Sequence, residues 1–193
     1  MGGDVGGSDE YAASSSNNLS AYNPGIYFGA QFGASNTHYT SSYSIPTNDF
    51  DKGYHFSFRL HAGYAFSEFI ALESGYTYYG QPKFIEKKTT VTQHFLQQGV
   101  DLMAKASLPL DYGFGLYAKG GLAWIFRGAL HSKGGLFGDR SSNNKITPVG
   151  SIGINYWFTS NMALDFGFTK TMKAGSLPTI DFFALGIIYK INV

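Results

Sequence analysis

From Tyr54 to Phe66 the chain reads YHFSFRLHAGYAF. Tyr54, Phe56, Phe58, Leu60, Ala62, Tyr64 and Phe66 carry no charge and are mostly aromatic, whereas His55, Ser57, Arg59, His61, Gly63 and Ala65 between them are polar or small. A strict period of two places the two sets on opposite faces of a β-strand. The pattern recurs along the chain. It predicts strands over 25–35, 54–66, 69–79, 95–108, 114–127, 146–158, 162–171 and 180–191. Segments 67–68, 109–113 and 159–161 read as tight turns. Segments 36–53, 80–93 and 128–145 read as long polar loops, and 172–179 as a shorter one. Eight strands whose connections alternate between long and short form an up-and-down series with both ends on the side of the short turns.

Alternation alone does not say which face meets water. In a soluble sandwich, or in a soluble ligand-binding barrel of lipocalin type, the oily face is the core. Composition argues for the reverse. Charged residues make up 14% of the 193-residue chain, against about 25% in an ordinary soluble domain. Aromatic residues reach 17%, with 17 Phe and 14 Tyr, yet mean hydropathy is only −0.11. The densest apolar stretch, 121–126, falls far short of the ~18 residues a spanning helix needs. The charges complete the case. Arg59, Glu73, Asp101, Lys105, Lys119, Asp165 and Lys190 all lie on the strand face opposite the large apolar residues. A Lys or Arg facing lipid at mid-membrane costs roughly 2–4 kcal/mol, so this face belongs inside. The expectation is an all-β fold: an eight-stranded antiparallel up-and-down transmembrane β-barrel over 25–193. A flexible Gly-, Ser- and Asn-rich leader over 1–24 precedes it. Aromatic residues near strand ends, such as Trp124, Phe126, Tyr156 and Phe158, suit the two membrane interfaces.

Particular stretches carry a family resemblance. Residues 99–105 (GVDLMAK), Pro109-Leu110 and 115–124 (GLYAKGGLAW) resemble strands four and five of the OmpA-type transmembrane domain. Residues 71–76 (ALESGY) resemble its third strand, and 148–156 (PVGSIGINY) and 185–190 (LGIIYK) its last ones. The resemblance implies an outer-membrane barrel with a charged interior network. It implies that Glu73 and Lys105 pair in the lumen. Asp165 stands where the family can carry an arginine and Asn155 where it can carry a glutamate, so Lys105 is expected to bridge Glu73 and Asp165. The family often adds a peptidoglycan-binding domain after the barrel. This sequence stops at Val193, and Ile191-Asn-Val replaces the family's closing Phe, which is expected to weaken recognition by the insertion machinery. The start, Met1-Gly-Gly-Asp, lacks a basic, apolar export signal and is read as an exported form with an added Met1.

Candidate chemistry is sparse. With no cysteine there is neither a disulfide framework nor a thiolate site, and a net charge of +1 gives no nucleic-acid footprint. His38, His55, His61, His94 and His131 are scattered, so no metal and no cofactor is expected. Some eight-stranded outer-membrane barrels modify lipid A. The cluster tempting in that direction is His131-Ser132 near Asp139, whose spacing does not suit a serine-type site, so no catalytic residue is assigned. Arg59, Glu73, Asp101, Lys105, Lys119 and Asp165 read as a lumen charge network, a closed polar core rather than an ion path, because eight strands leave little free bore. Lys83, Lys87, Lys88, Lys133 and Arg140 lie in the predicted loops, where they can meet lipopolysaccharide or a host surface. The expected role is non-enzymatic, in envelope structure or adhesion, for a monomer in the bacterial outer membrane inserted by the barrel-assembly machinery. A narrow pore, a lipid A-modifying enzyme and a soluble lipocalin-like ligand binder are the alternatives.

Overall fold

A computed structural model of the protein describes residues 24–38, 48–50, 53–80, 83–86, 91–94, 96–127, 144–174 and 177–192. In chain order its strands are β1 Gly25–His38, β2 Asn48–Phe50, β3 His55–Ala65, β4 Ile70–Tyr78, β5 Lys83–Glu86 and β6 Val91–His94. They continue with β7 Gln97–Pro109, β8 Phe114–Arg127, β9 Lys145–Trp157, β10 Met162–Thr171 and β11 Thr179–Asn192. Eight of these close into one barrel in the order β1-β11-β10-β9-β8-β7-β4-β3. Every neighbouring pair is antiparallel, and the closing pair runs from Gly25 opposite Asn192 to His38 opposite Thr179. Closure matters because an unpaired strand edge in hydrocarbon leaves backbone donors and acceptors with no partner.

The alternation resolves as lipid-facing outside and polar inside. Phe32, Leu60, Leu122 and Leu185 are more than half exposed, whereas Arg59 and Glu73 are 2% and 1% exposed. A soluble lipocalin-type barrel would show the opposite. The short turns hold their shape through side-chain oxygens. Ser67 Oγ accepts from the amides of Phe69 and Ile70, both at 3.2 Å. Thr159 Oγ1 does the same for Asn161 and Met162, at 3.3 and 2.9 Å. Hydroxyl residues favour turns for this reason. Between β7 and β8, Tyr112 and Gly113 turn through positive φ values of 61° and 82°.

Several boundaries differ from the sequence reading. β1 runs to His38 rather than residue 35, because β11 pairs with it over its whole length. β7 starts at Gln97, two residues late. The last rungs there are Tyr79 N–H to Gln97 O and Gln97 N–H to Gly80 O, and Gly80 then leaves the ladder at φ 87°. The segments 36–53 and 80–93, predicted as loops, contain β2, β5 and all but the last residue of β6. These pair into a separate antiparallel sheet of order β2-β5-β6. Strands of three or four residues are too short for their alternation to show. The predicted leader lies outside the described residues, apart from Pro24.

Two apolar clusters occupy the interior. One, at the long-loop end, gathers Tyr79, Ile125, Val149, Leu177, Ile180 and Phe182 with their neighbours. The other, at the short-turn end, gathers Tyr27, Ala65, Ala71, Ala163 and Ile188 against Trp157. Arg59, Glu73, Asp101, Lys105, Lys119 and Asp165 lie between them, and Lys190, beyond Ile188, stands at the short-turn end with its ammonium 6.0 Å from the Trp157 ring centroid.

Candidate functional site

The interior site is built on Glu73, which β4 points inward. Its side chain has no exposed surface. Lys119 of β8 donates to both carboxylate oxygens, at 2.8 and 2.9 Å. Arg59 of β3 donates through Nη2 to Oε1 at 3.0 Å, and the Tyr27 hydroxyl of β1 donates to Oε2 at 3.0 Å. Arg59 also forks onto Asp101 of β7, with Nη2 to Oδ1 at 2.8 Å and Nη1 to Oδ2. A two-pronged guanidinium–carboxylate contact fixes geometry as well as supplying energy. One connected cluster therefore ties together β1, β3, β4, β7 and β8.

Small residues make room for it. A Cβ at Gly75 would fall 2.6 Å from Arg59 Cζ, and one at Gly63 would run into the Tyr27 ring. The inward glycines are thus part of the site, since they let the long side chains lie across the bore.

Asp165 of β10 stands apart from this cluster and accepts from Gln31 Nε2 of β1 at 2.5 Å. The expected Lys105 bridge between Glu73 and Asp165 is not what the structure shows. Lys119 makes the ion pair with Glu73, while the Lys105 ammonium lies over the rings of Tyr27 and Tyr117, at 5.3 and 4.7 Å from their centroids. The reason is register. Lys105 and Lys119 are direct cross-strand partners, both inward, and only one of the two ammonium groups faces the carboxylate. Cation–π contact holds the other.

Tyr27, Gln31, His61 and Tyr117 were not singled out from sequence as site residues. Their signal was present, since each shares the inward parity of its strand. His61 is 5% exposed and meets Tyr27 edge-on at 6.3 Å. Of the loop residues, Lys83 falls on β5, where only backbone pairing is described, and Lys87, Lys88, Lys133 and Arg140 lie outside the described residues, as do His131, Ser132 and Asp139. Among the described residues no group of three His, Asp or Glu is placed to hold a metal ion.

The chemistry available inside is limited. Glu73 has its lone pairs filled by four donor contacts, and the free space near Lys105 and Asn155, at the short-turn end, is a cavity of about 40 Å³. That is room for little more than a water or two. What the site does is join strands across the bore.

A closed eight-stranded barrel with an oily exterior, aromatic side chains near its ends and an ion-paired interior is an integral membrane protein of the bacterial outer membrane. There its outer wall meets lipid and lipopolysaccharide. The chain matches the OmpA-like transmembrane domain over residues 22–192 and belongs to that family. It is 28% identical over 168 residues to an uncharacterized protein of Coxiella burnetii (strain RSA 493 / Nine Mile phase I), covering 70% of this chain and 68% of that one. Among solved structures it resembles Neisserial surface protein A, with TM-score 0.62 and 17% identity over 86% of this chain and 97% of that one. It also resembles Ail, the attachment invasion locus protein of Yersinia pestis, with TM-score 0.58 and 14% identity over 88% and 99%.

Proposed function

We propose that this protein is a closed, non-enzymatic scaffold that strengthens the envelope and presents its long loops for surface contact. The observation that supports this reading is the filled bore. The Glu73 cluster spans it, and apolar side chains occupy both ends. A narrow pore would need a continuous wet path past these groups. The loops provide the contact chemistry. Lys83, Lys87, Lys88, Lys133 and Arg140 offer cations to lipopolysaccharide or to a polyanionic host surface. Ail, of the same fold, carries attachment in its name and has been crystallised with the heparin analogue sucrose octasulfate. On this reading residues 1–24 are a leader to the barrel, and the barrel-assembly machinery inserts the chain as a monomer.

The test replaces those five basic residues with glutamine in cells that display the protein. Attachment to heparin-coated surfaces is expected to fall, with surface expression unchanged. Unchanged attachment refutes the adhesive role. Discrete conductance steps from purified protein in planar bilayers would favour the pore instead, and a mass change in lipid A on expression would favour the enzyme.

A further inference from the structure

The small cavity at the short-turn end is lined by a set of hydrogen-bond donors. Lys105 of β7, Lys190 of β11 and Asn155 of β9 line it from within the bore, and Ser107, Ser67 and Glu68 border it toward the turns. Lys105, Lys190 and Asn155 are buried, at 7%, 3% and 4% exposure. Glu68, the one carboxylate among the described lining residues, is exposed on its turn. Ser67 Oγ accepts from the amides of Phe69 and Ile70, which leaves its hydroxyl proton to be donated.

An ammonium carries three N–H donors. Among the described residues that of Lys105 makes no ion pair and donates no hydrogen bond; its contacts are the faces of Tyr27 and Tyr117, at 5.3 and 4.7 Å. Ring faces offset charge but supply no lone pair to the N–H groups. The interior carboxylates are engaged elsewhere: Glu73 with Lys119, Arg59 and Tyr27, Asp101 with Arg59, and Asp165 with Gln31. None of the three lines the cavity. Asn155 Oδ1 has no hydrogen-bond partner among the described residues, so nothing fixes the amide with its oxygen inward, and its NH2 group can face the cavity. Two ammonium groups on the wall of one cavity repel each other, and a low-dielectric interior screens this weakly. An anion between them replaces one repulsion with two attractions. A water molecule there offers lone pairs but no charge.

We propose that this cavity binds one small inorganic anion of chloride's size, with Lys105 and Lys190 as counter-charges and Asn155 as a neutral donor. Volume sets the class. A cavity of about 40 Å³ admits a monatomic halide and excludes a lipid head group. The short turns of such barrels face the periplasm, which is the source of the ion. The site lies at the opposite end of the barrel from the long loops and does not depend on whether those loops adhere.

Bromide is the probe. Crystals of the refolded full chain grown in sodium bromide are read by anomalous scattering, and urea unfolding from lipid vesicles is compared in bromide and in gluconate at equal ionic strength. A bromide peak is expected in the cavity, in contact with the Lys105 ammonium. The unfolding midpoint should rise with bromide and level off as the site fills, with no such rise in gluconate. Lys105→Met removes a buried cation that has no carboxylate contact, so it should fold, with unaltered heat-modifiable gel mobility, and lose both the peak and the rise. Lys190→Met, at the end of the last strand, is the second variant and should raise the half-maximal bromide concentration at least about tenfold, as the loss of one of two attractions requires. Water density without a bromide peak in the unaltered protein, or a midpoint that responds equally to bromide in the unaltered protein and both variants, overturns the proposal. A peak with no rise in the midpoint marks binding at crystal concentration only and overturns it as well.

Discussion

Glu73→Gln is the sharpest probe of the interior. The substitution keeps shape and volume but removes the charge that faces Lys119 at 2.8 Å and Arg59 at 3.0 Å. At an effective dielectric constant near 20, a pair 2.8 Å apart attracts with roughly 6 kcal/mol before desolvation is subtracted. Arg59 keeps Asp101 after the change, whereas Lys119, its side chain 2% exposed, keeps no carboxylate partner that the structure shows. The glutamine amide also turns donors toward donors. Removing one partner of a buried pair destabilises by about 3–5 kcal/mol, because the remaining charge stays buried. The assay is reversible urea unfolding from lipid vesicles, followed by tryptophan fluorescence. With a slope of about 1–3 kcal/mol per molar, the midpoint should fall by at least about 1 M. The companion variant Glu73→Gln/Lys119→Met removes the orphaned cation and should recover much of the loss, since a buried pair replaced by apolar groups is often neutral. A loss below about 1 kcal/mol for the single variant, or a double variant weaker than the single, would refute the view that Glu73 and Lys119 act as a closed pair.

Two further contrasts test the faces of the barrel. Gly120 and Gly121 are adjacent, but a Cβ at Gly121 would collide with the Leu102 carbonyl oxygen, while one at Gly120 meets open space. Gly121→Ala should therefore lower the unfolding midpoint by an amount equivalent to about 1–3 kcal/mol, and Gly120→Ala should leave it unchanged; equal effects would contradict the assigned faces. Leu122→Arg places a cation on the lipid side and should cost roughly 2–4 kcal/mol in vesicle unfolding if residue 122 lies near the bilayer midplane, with no measurable cost if that face is in water.

The barrel was legible because its signal is repetitive. Each strand repeats the same two-residue alternation, and β8 and β10 begin and end where the pattern does. The charges read correctly as inward because seven of them share one parity. What the pattern could not supply was distance across the bore. Lys105 and Lys119 occupy equivalent positions, opposite each other on neighbouring strands, and no local feature says which one reaches Glu73. The choice depends on the tilt of the strands and on the Tyr27 ring, which is far from Lys105 in sequence yet lies under its ammonium, whereas the Tyr117 ring is 4.7 Å from both ammonium groups. The sheet β2-β5-β6 escaped for a different reason: three or four residues carry too few alternations to stand out from a polar loop.

The interior bonds differ in kind from the ladder that forms the wall. Ladder bonds join neighbouring strands and fix the spacing between them, but a thin cylinder held by its wall alone can still flatten. The Gln31–Asp165 bond skips β11 to join β1 to β10, and the Tyr27–Glu73 bond skips β3 to join β1 to β4. Arg59 and Lys119 approach Glu73 from opposite sides, one from β3 and the other from β8. Moving these strands apart would stretch one of these charge-assisted contacts in a setting where water cannot replace it at equal energy. Glu73 in particular ties three other strands, so its carboxylate couples the positions of residues 27, 59 and 119. The interior charges are thus engaged in bonds that join strands. On the proposed reading of the protein as a closed scaffold, this bracing keeps the cross-section fixed beneath the loops.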